Sequence, residues 1–246
     1  MADNFKERFS QAVKEAETVV YSYLPEETGH QKTIFEAMNY SVKAGGKRLR
    51  PLLMREVYRL FGGNGPEIEP FMAAMEMIHT SSLIHDDLPC MDNDEYRRGK
   101  LTTWKAYGYD MAVLAGDALM IYAFETASKA FSMGADPAKV GRAIGILAEK
   151  TGIYGMIGGQ TVDVELTGKA VPREKLDFIY RLKTGALLEA SMMIGALLGG
   201  ADEEETRLVE QMAAAIGVAF QIQDDILDVT SSMEVLGKPV LSDEKN

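Results

Sequence analysis

The sequence is poor in the residues that build disulfides and zinc sites. Its 246 residues include one cysteine, Cys90, and three histidines. A single thiol cannot form an intramolecular disulfide, which indicates a reducing compartment, and so few soft ligands argue against a zinc site. Positive charge is also scarce, since 26 Lys and Arg stand against 37 Asp and Glu. The formal net charge of -11 disfavours nucleic acid as a partner, because phosphate backbones bind positive surfaces.

Long apolar runs are missing as well. The longest, at residues 192–198, is much shorter than the ~20 residues that span a bilayer. The N-terminus shows no apolar segment of the kind that forms a secretory signal. We therefore expect a soluble, cytoplasmic protein and not an integral membrane protein.

Apolar residues recur every three or four positions along the chain, which predicts helices and no long strands. Glycine and proline clusters divide this pattern into helices. We predict them at about 3–23, 30–44, 49–61, 67–87, 109–131, 136–157, 172–198 and 203–229. The last two are apolar on more than one face, which is typical of the inner helices of a bundle. No linker or repeat is visible, so we expect one all-α domain over residues 1–246.

Two clusters of three aspartates interrupt otherwise apolar segments. They are Asp86, Asp87 and Asp92 in the first half of the chain, and Asp224, Asp225 and Asp228 near its end. Acids this close repel one another, and a hard divalent cation such as Mg²⁺, which prefers oxygen ligands, would relieve the repulsion. A solvated acidic loop or helix end is the alternative for each cluster.

Basic segments accompany the first cluster. The motif RRGK at 97–100 follows it closely, and arginine forks bind phosphate oxygens in bidentate geometry. The motif GGKRLRP at 45–51 offers Lys47 and Arg50 at a predicted helix start, where glycines and the helix dipole favour an anion. A solvated basic turn is the alternative there. Together, acids and arginines suit a magnesium–diphosphate complex.

Four other polar residues lie in predicted apolar helices. His79 is two turns before Asp86 on one helix face, and Gln221 is one turn before Asp225. Lys183 and Thr184 are adjacent within an apolar segment, where a lysine is costly unless it is paired. Each is either a core residue or part of a polar pocket.

Seven segments, taken in order, resemble the trans-prenyl diphosphate synthase family, and most closely the bacterial farnesyl diphosphate synthases. They are GGKRLRP (45–51), SLIHDDLPCMDND (82–94), RRGK (97–100), LAGDALM (114–120), GGQTVD (158–163), KTGALL (183–188) and GVAFQIQDDILDV (217–229). The resemblance implies the isoprenoid synthase fold, an all-α bundle around a central cavity, and a homodimer. It implies condensation of isopentenyl diphosphate with dimethylallyl, geranyl or farnesyl diphosphate. The family continues with further helices beyond GKPVLSDEKN, so we expect this chain to lack them.

The resemblance also implies a role for each candidate residue. Asp86, Asp92 and Asp224 would be the main ligands of three Mg²⁺ ions, supported by Asp87, Asp225 and Asp228. The allylic diphosphate would be held by Arg97, Lys183 and Lys238. Isopentenyl diphosphate would be held by Lys47, Arg50, His79 and Arg98. Thr184 and Gln221 would face the carbocation.

Two departures from the family pattern stand out. Ser81 lies where an aromatic residue commonly limits chain growth, so a deeper pocket and a C20 product are expected over C15. The helical wheel instead places Ser82 directly behind Asp86, which leaves the pocket direction open, and other side chains could form the floor, namely Met77, Met111, Met120 or Phe124. The second departure is Leu101 and Thr103-Trp104, where relatives usually have proline and Asn-His, and the sequence does not explain it.

Two rival functions share parts of this pattern. A class I terpene cyclase would replace the second cluster with an Asn/Ser/Glu-type metal motif and would lack the Lys47 and Arg50 site. A non-catalytic subunit of a heteromeric prenyl synthase would usually lose one aspartate cluster. Both clusters and the basic site are present here, so the sequence favours the catalytic synthase.

Overall fold

The computed structural model describes the main chain of residues 2–230 and the side chains of residues 4–223 and 226. This part of the chain is a succession of α-helices. They are α1 (Ala2–Ser22), α2 (Lys32–Val42), α3 (Leu49–Leu60), α4 (Glu69–Asp86), α5 (Thr103–Tyr107), α6 (Tyr109–Ser128), α7 (Pro137–Thr151), α8 (Met156–Leu166), α9 (Arg173–Ile179), α10 (Ala186–Gly199) and α11 (Glu203–Thr230). A small antiparallel hairpin of β1 (Tyr96–Arg97) and β2 (Lys100–Leu101) lies between α4 and α5. A π-helical segment, Tyr180–Gly185, joins α9 to α10.

The predicted helix boundaries were wrong at one place. The helix expected at 136–157 ends at Thr151, and α8 begins after a four-residue break. The break contains Gly152 and Gly155, and a Cβ on Gly155 would lie 2.0 Å from the Lys150 carbonyl oxygen, so the chain turns tightly there. The helix expected at 172–198 is confirmed as one continuous stretch, Arg173–Gly199, which consists of α9, the π segment and α10. Helix α5 and the hairpin were not predicted, because such short elements carry little periodicity.

Helix α4 lies at the centre of the fold. Twelve of its eighteen residues are buried, which is the pattern of a helix packed on several sides. It packs against α6, α1, α3 and α10. Most buried apolar side chains from α1 to α10 form one cluster, as a single domain requires. The assignment of residues 1–246 to one domain stays a prediction, since residues 231–246 lie outside the described part.

Helices α3 and α10 approach each other unusually closely. A Cβ on Gly195 would lie 2.3 Å from the Met54 carbonyl oxygen, and one on Gly199 would lie 2.5 Å from the Tyr58 carbonyl oxygen. Glycine is therefore required at both positions for the two main chains to touch.

Two helical stretches within residues 2–230 are long and apolar enough to cross a membrane, by length and composition alone. They are Tyr109–Ser132 and Arg173–Gly199, and 39% and 78% of their most apolar windows are buried inside the protein. The core helix of a soluble protein gives the same signal, so these stretches are weak evidence for a membrane protein.

Candidate active site

The first aspartate cluster is formed where α4 ends. Asp86 is the last residue of α4, and the loop after it turns back so that the Asp92 amide donates to the Asp86 carbonyl oxygen at 2.9 Å. Asn93, with a φ of 56°, completes this turn in the left-handed conformation that asparagine tolerates. The exposed segment 89–90 projects outward. The loop therefore brings Asp92 next to Asp86, although the two are six positions apart in sequence.

The third acid of this cluster, Asp87, is paired with an arginine. Arg97 donates from Nε to Oδ1 and Oδ2 of Asp87 at 2.8 and 3.0 Å, and its Nη2 lies 2.6 Å from Oδ1. The Asp87 side chain is only 5% exposed, so this bidentate pair is well shielded. Arg98 and Gly99 form the hairpin turn, both with positive φ, and this turn presents Arg97 to Asp87.

Helix α8 adds two polar side chains that the sequence analysis did not single out. Gln160 donates from Nε2 to Oδ1 of Asp86 at 2.7 Å, and Asp163 accepts from Lys183 Nζ at 2.6 Å. Residues 160 and 163 are three apart on one helix face, and the motif GGQTVD contains both, so a signal was available. Gly159 permits the close approach, since a Cβ there would lie 2.4 Å from the Lys183 amide nitrogen.

The π-helical segment presents two consecutive polar residues to the site. Lys183 reaches Asp163, while the Thr184 hydroxyl donates to Gln221 Oε1 on α11 at 3.1 Å. Such π-helical turns occur frequently at functional sites, because the extra residue per turn changes where side chains point. The structure thus joins α8, the π segment and α11 around the predicted residues Lys183, Thr184 and Gln221.

Burial sets the charge state of these acids. It raises the pKa of Asp86 to about 6, with Lys183 opposing the rise and Asp92 adding to it. Loss of surrounding water also raises the pKa of Asp92, again against the effect of Lys183. Burial alone would lower the pKa of Lys183, but Asp86 and the hydrogen bond to Asp163 outweigh it and raise that pKa. Lys183 is therefore charged and compensates only part of the acidic site.

The acidic pair fits a hard divalent cation. Within residues 2–230 as described, no group of three acids, histidines or cysteines could hold a metal alone. Mg²⁺ commonly takes one or two protein carboxylates and completes its shell with water and phosphate oxygens, which a pair such as Asp86 and Asp92 allows. Gln160 Oε1 is buried and lacks a hydrogen-bond partner among the described residues, so it could accept from a metal-bound water.

A separate cationic site lies two turns up α4 from the acids. His79, Arg50 and Arg98 interact electrostatically there, and burial, followed by Arg50 and Arg98, lowers the pKa of His79 well below its ordinary value. Arg50 Nε is buried without a partner in the described part of the chain. Lys47 is exposed and precedes α3 in sequence.

The glycine-rich loop of this site is shaped by two arginines. Arg98 Nη1 donates to the Gly45 carbonyl oxygen, and a Cβ on Gly46 would lie 2.7 Å from Arg98 Nη1. Arg48, in the left-handed conformation with φ 49°, turns the other way and pairs with buried Glu76 at 2.6 Å. Arg48 and Arg98 therefore both hold the loop, whereas Arg50 keeps its buried Nε without a partner among the described residues.

The two serines before the acids point in different directions. Ser81 is fully buried, and its Oγ donates to the Ile78 carbonyl oxygen and lies 4.0 Å from the Met120 sulfur on α6. Ser82 is half-buried and donates to the His79 carbonyl oxygen. Ser81 thus faces α6 and Met120, one of the alternative floors named above.

Several predicted residues cannot be located. Lys238 lies outside the described residues, and only the α11 main chain is described at positions 224, 225 and 228. The roles of Asp224, Asp225, Asp228 and Lys238 remain predictions.

Comparison with known proteins identifies the family. The polyprenyl synthetase family pattern matches residues 31–246. The farnesyl diphosphate synthase of Geobacillus stearothermophilus is 46% identical over 247 aligned residues, which cover 100% of this chain and 83% of that protein. The chloroplastic geranylgeranyl pyrophosphate synthase of Capsicum annuum is 50% identical over 206, covering 83% of this chain but only 56% of that protein.

Solved structures give the same result. An FPP/GFPP synthase from Zymomonas mobilis superposes with a TM-score of 0.86 and 38% identity, covering 94% of this chain and 84% of that one. A geranyltransferase from Legionella pneumophila gives 0.83 and 34%, covering 91% and 78%. The fold is that of the all-α isoprenoid synthases. The chain belongs to the polyprenyl synthetase family, which confirms the predicted fold class, family and prenyltransferase assignment.

Proposed function

We propose that this protein condenses isopentenyl diphosphate head to tail with an allylic diphosphate, giving farnesyl (C15) or geranylgeranyl (C20) diphosphate. One observation carries the proposal. Two different sites lie along helix α4. An acidic one is formed by Asp86 at its end and Asp92 in the loop that follows. A cationic one surrounds His79, where Arg50 of α3 and Arg98 of the hairpin turn approach. An acidic site suits a metal-bound diphosphate, and a cationic site suits a diphosphate bound directly.

The acids of the proposed site would hold magnesium. Asp86, Asp92 and Asp224 would be the main ligands of three Mg²⁺ ions, and Asp225 and Asp228 would support them. Asp87 would act indirectly, because its carboxylate is engaged by Arg97. Bound Mg²⁺ would neutralise charge on the departing diphosphate, which favours its release.

The basic residues would position the two substrates. Lys183, Arg97 and Lys238 would hold the allylic diphosphate, and Lys47, Arg50, His79 and Arg98 would hold isopentenyl diphosphate. The allylic C–O bond breaks, its electron pair leaves with diphosphate, and the carbocation is attacked by the double bond of isopentenyl diphosphate. A proton is then lost to the released diphosphate. Thr184 and Gln221, joined by a hydrogen bond, would stabilise the cation through their dipoles.

Turnover with defined starters tests this proposal. The protein is incubated with Mg²⁺, isopentenyl diphosphate and an allylic diphosphate of C5, C10 or C15, and product length is measured by chromatography. We expect chain growth, and a loss of at least about a hundredfold in Asp86→Ala or Asp224→Ala. Near-normal turnover of Asp224→Ala at saturating Mg²⁺ would refute the mechanism. A terpene cyclase would consume the allylic substrate alone, and a non-catalytic subunit would consume neither.

Product length should depend on Ser81. A phenylalanine there would fill the space toward Met120, so Ser81→Phe should shorten the product from C20 to C15. Met120→Ala, which removes volume from the opposite side, should lengthen it and does not overpack the core. Ser82→Phe is the matched control. If Ser82→Phe shortens the product and neither of the other changes alters it, the floor lies behind Ser82.

We also propose a homodimer formed through α6. Leu114 and Ile121 are 54% and 70% exposed, and with Met111, Ala118 and Ile34 they line a shallow apolar groove beside α2. An apolar helix face exposed to this extent is typical of an interaction surface, and the family resemblance makes a second copy the expected partner. Sedimentation should give a dimer for the wild type and a monomer for Ile121→Glu. Val164→Glu, on the 46% exposed Val164 of α8, should stay dimeric.

The proposed enzyme is soluble and cytoplasmic. The relatives support a soluble enzyme, and the lone thiol supports the cytoplasm as its compartment. With a net charge of -11, no nucleic-acid partner is expected.

A further inference from the structure

The loop that follows the first aspartate cluster is held by a tryptophan. Trp104, on α5, donates from its indole Nε1 to the Asp94 carbonyl oxygen at 2.7 Å. The Thr102 hydroxyl donates to the same carbonyl oxygen at 2.8 Å, and the Thr102 amide donates to the Glu95 carbonyl oxygen at 3.0 Å. One main-chain oxygen thus accepts two side-chain hydrogen bonds, which use both of its lone pairs.

This carbonyl lies between two residues of the proposed site. Asp92 is two residues before Asp94, and Arg97, which pairs with Asp87, is three residues after it. The hairpin that carries Arg97 has only two residues in each strand. A hairpin so short is not stable alone, so its place is determined by contacts outside it.

Helix α5 is itself fixed to the bulk of the protein. Tyr40, on α2, donates from its hydroxyl to the Leu101 carbonyl oxygen at 2.7 Å, and the Ser41 and Thr103 hydroxyls are 2.6 Å apart. The Trp104 ring also packs against the main apolar core. Asp94 is therefore connected to α2 by a series of contacts that passes through α5.

A contact between Lys105 and Glu95 lies next to the one between Trp104 and Asp94. Lys105 lies 5.2 Å from the centre of the Trp104 ring and 2.6 Å from a carboxylate oxygen of Glu95. The Lys105 and Glu95 side chains are 39% and 51% exposed, so solvent weakens this ion pair and it contributes little energy. The indole hydrogen bond, which is partly buried, is the stronger constraint on the loop.

We propose that Trp104 is a positioning residue for the diphosphate-binding loop, which it holds through the Asp94 carbonyl oxygen so that Asp92 and Arg97 keep their places before the ligand arrives. The role of Asp92 and Arg97 as ligand contacts rests on the proposed function. Trp104 touches neither substrate nor metal in this scheme. It acts by reducing the motion that the loop must lose on binding, so its loss should weaken binding and leave the chemical step unchanged.

The test compares variants that remove one donor at a time. Trp104→Phe keeps an aromatic ring but removes the N–H group, and Thr102→Val removes the hydroxyl. Calorimetry with inorganic pyrophosphate and Mg²⁺ should show each binding about threefold to tenfold more weakly than the wild type, the range expected for one hydrogen bond. KM for the allylic diphosphate should rise by the same factor with kcat unchanged. Phe131→Leu, at an exposed position in the 3-10 turn that follows α6, is the control for loss of a ring and should match the wild type.

Fluorescence gives a second measurement without enzyme turnover. Trp104 is the only tryptophan in the chain, so its emission reports this contact directly. Because the contact is made before the ligand arrives, adding Mg²⁺ and pyrophosphate to saturation should leave the emission maximum of the wild type close to that of the free protein. A large shift of the maximum at saturation would overturn the proposal, because the contact would then form only in the complex.

The outcomes separate this proposal from the function it rests on. Normal prenyl transfer by the wild type, with pyrophosphate affinity unaltered in Trp104→Phe and Thr102→Val, overturns the positioning role alone. A melting temperature that falls in Trp104→Phe while affinity stays equal also overturns it, because only packing is then lost. Weaker pyrophosphate binding in both variants supports the positioning role, even if the wild type fails to extend any allylic starter and the proposed function fails.

Discussion

Replacing the acid at the end of α4 should stabilise the empty protein while abolishing its activity. Burial raises the pKa of Asp86 from the ordinary 3.8 to about 6. At pH 8 the Asp86 carboxylate is therefore ionised in the folded protein, although its burial makes the ionised form unfavourable. Asp86→Asn removes this charge, preserves the shape of the side chain, and still offers an oxygen to Gln160.

The size of the gain follows from the raised pKa. A rise from 3.8 to about 6 corresponds to about 3 kcal/mol, and solvent that reaches the half-buried carboxylate reduces this to about 1–2 kcal/mol. Because the folded pKa is raised, protonation favours the folded state fully below pH ~4, and this contribution is lost as the pH rises through about 6. Asparagine is neutral throughout. The advantage of Asp86→Asn is therefore largest above pH ~7, about half as large at pH 5, and small only below pH ~4.

Thermal unfolding of the protein in EDTA, between pH 5 and pH 8.5, measures this difference. For a chain of this size we expect Asp86→Asn to melt about 3–6 °C higher at pH 8, with the gap falling to about half of that at pH 5. Asp177→Asn, at an exposed position on α9, is the control and should show neither effect. Mg²⁺ with pyrophosphate should stabilise the wild type and not Asp86→Asn. A variant equally stable or less stable at pH 8, or a gain that does not shrink in acid, would refute the reasoning.

Two other changes test the packing of the helices that carry the site. Gly195→Ala places a methyl group 2.3 Å from the Met54 carbonyl oxygen, so α3 and α10 must separate, and chemical denaturation should show a loss of about 1–3 kcal/mol. Gly145→Ala, on the open face of α7, is its control and should be neutral or stabilising by up to ~1 kcal/mol. Lys150→Met leaves the buried carboxylate of Glu189 without its lysine, so unfolding should become easier by about 3 kcal/mol, and Lys150→Met with Glu189→Met should recover most of it. An additive double variant would contradict the pairing.

Much of the candidate site was predictable because its signals are local. Pro89 prevents α4 from continuing, and the loop that contains it turns back toward the helix end. The proximity of Asp86 and Asp92 therefore follows from their spacing and from the turn between them. The seven-residue spacing of His79 and Asp86 likewise needs only a continuous helix. Residues on one helix can be related to each other without knowledge of the fold.

The partners of these residues depend on contacts between distant segments and were not predictable. The pairing of Arg97 with Asp87 requires the short hairpin, and that of Lys183 with Asp163 requires α8 to pack on a π-helical segment. A one-residue change in register would redirect either side chain. The same holds for Trp104. Its acceptor is a main-chain carbonyl oxygen, which every residue has, so the residue type at position 94 does not indicate the contact.

The acidic and the cationic part of the proposed site each contain one residue of helix α4, so the helix fixes the distance between them. His79 and Asp86 are seven residues apart on α4, which is about 10 Å along its axis. Because α4 is continuous and buried, the distance between His79 and Asp86 is fixed by the helix itself. A closing motion of the surrounding helices cannot change this distance. The reacting carbons must therefore be brought together by the bending of the hydrocarbon chains between the two ends, and a loop closing over the site can exclude water without altering that reach.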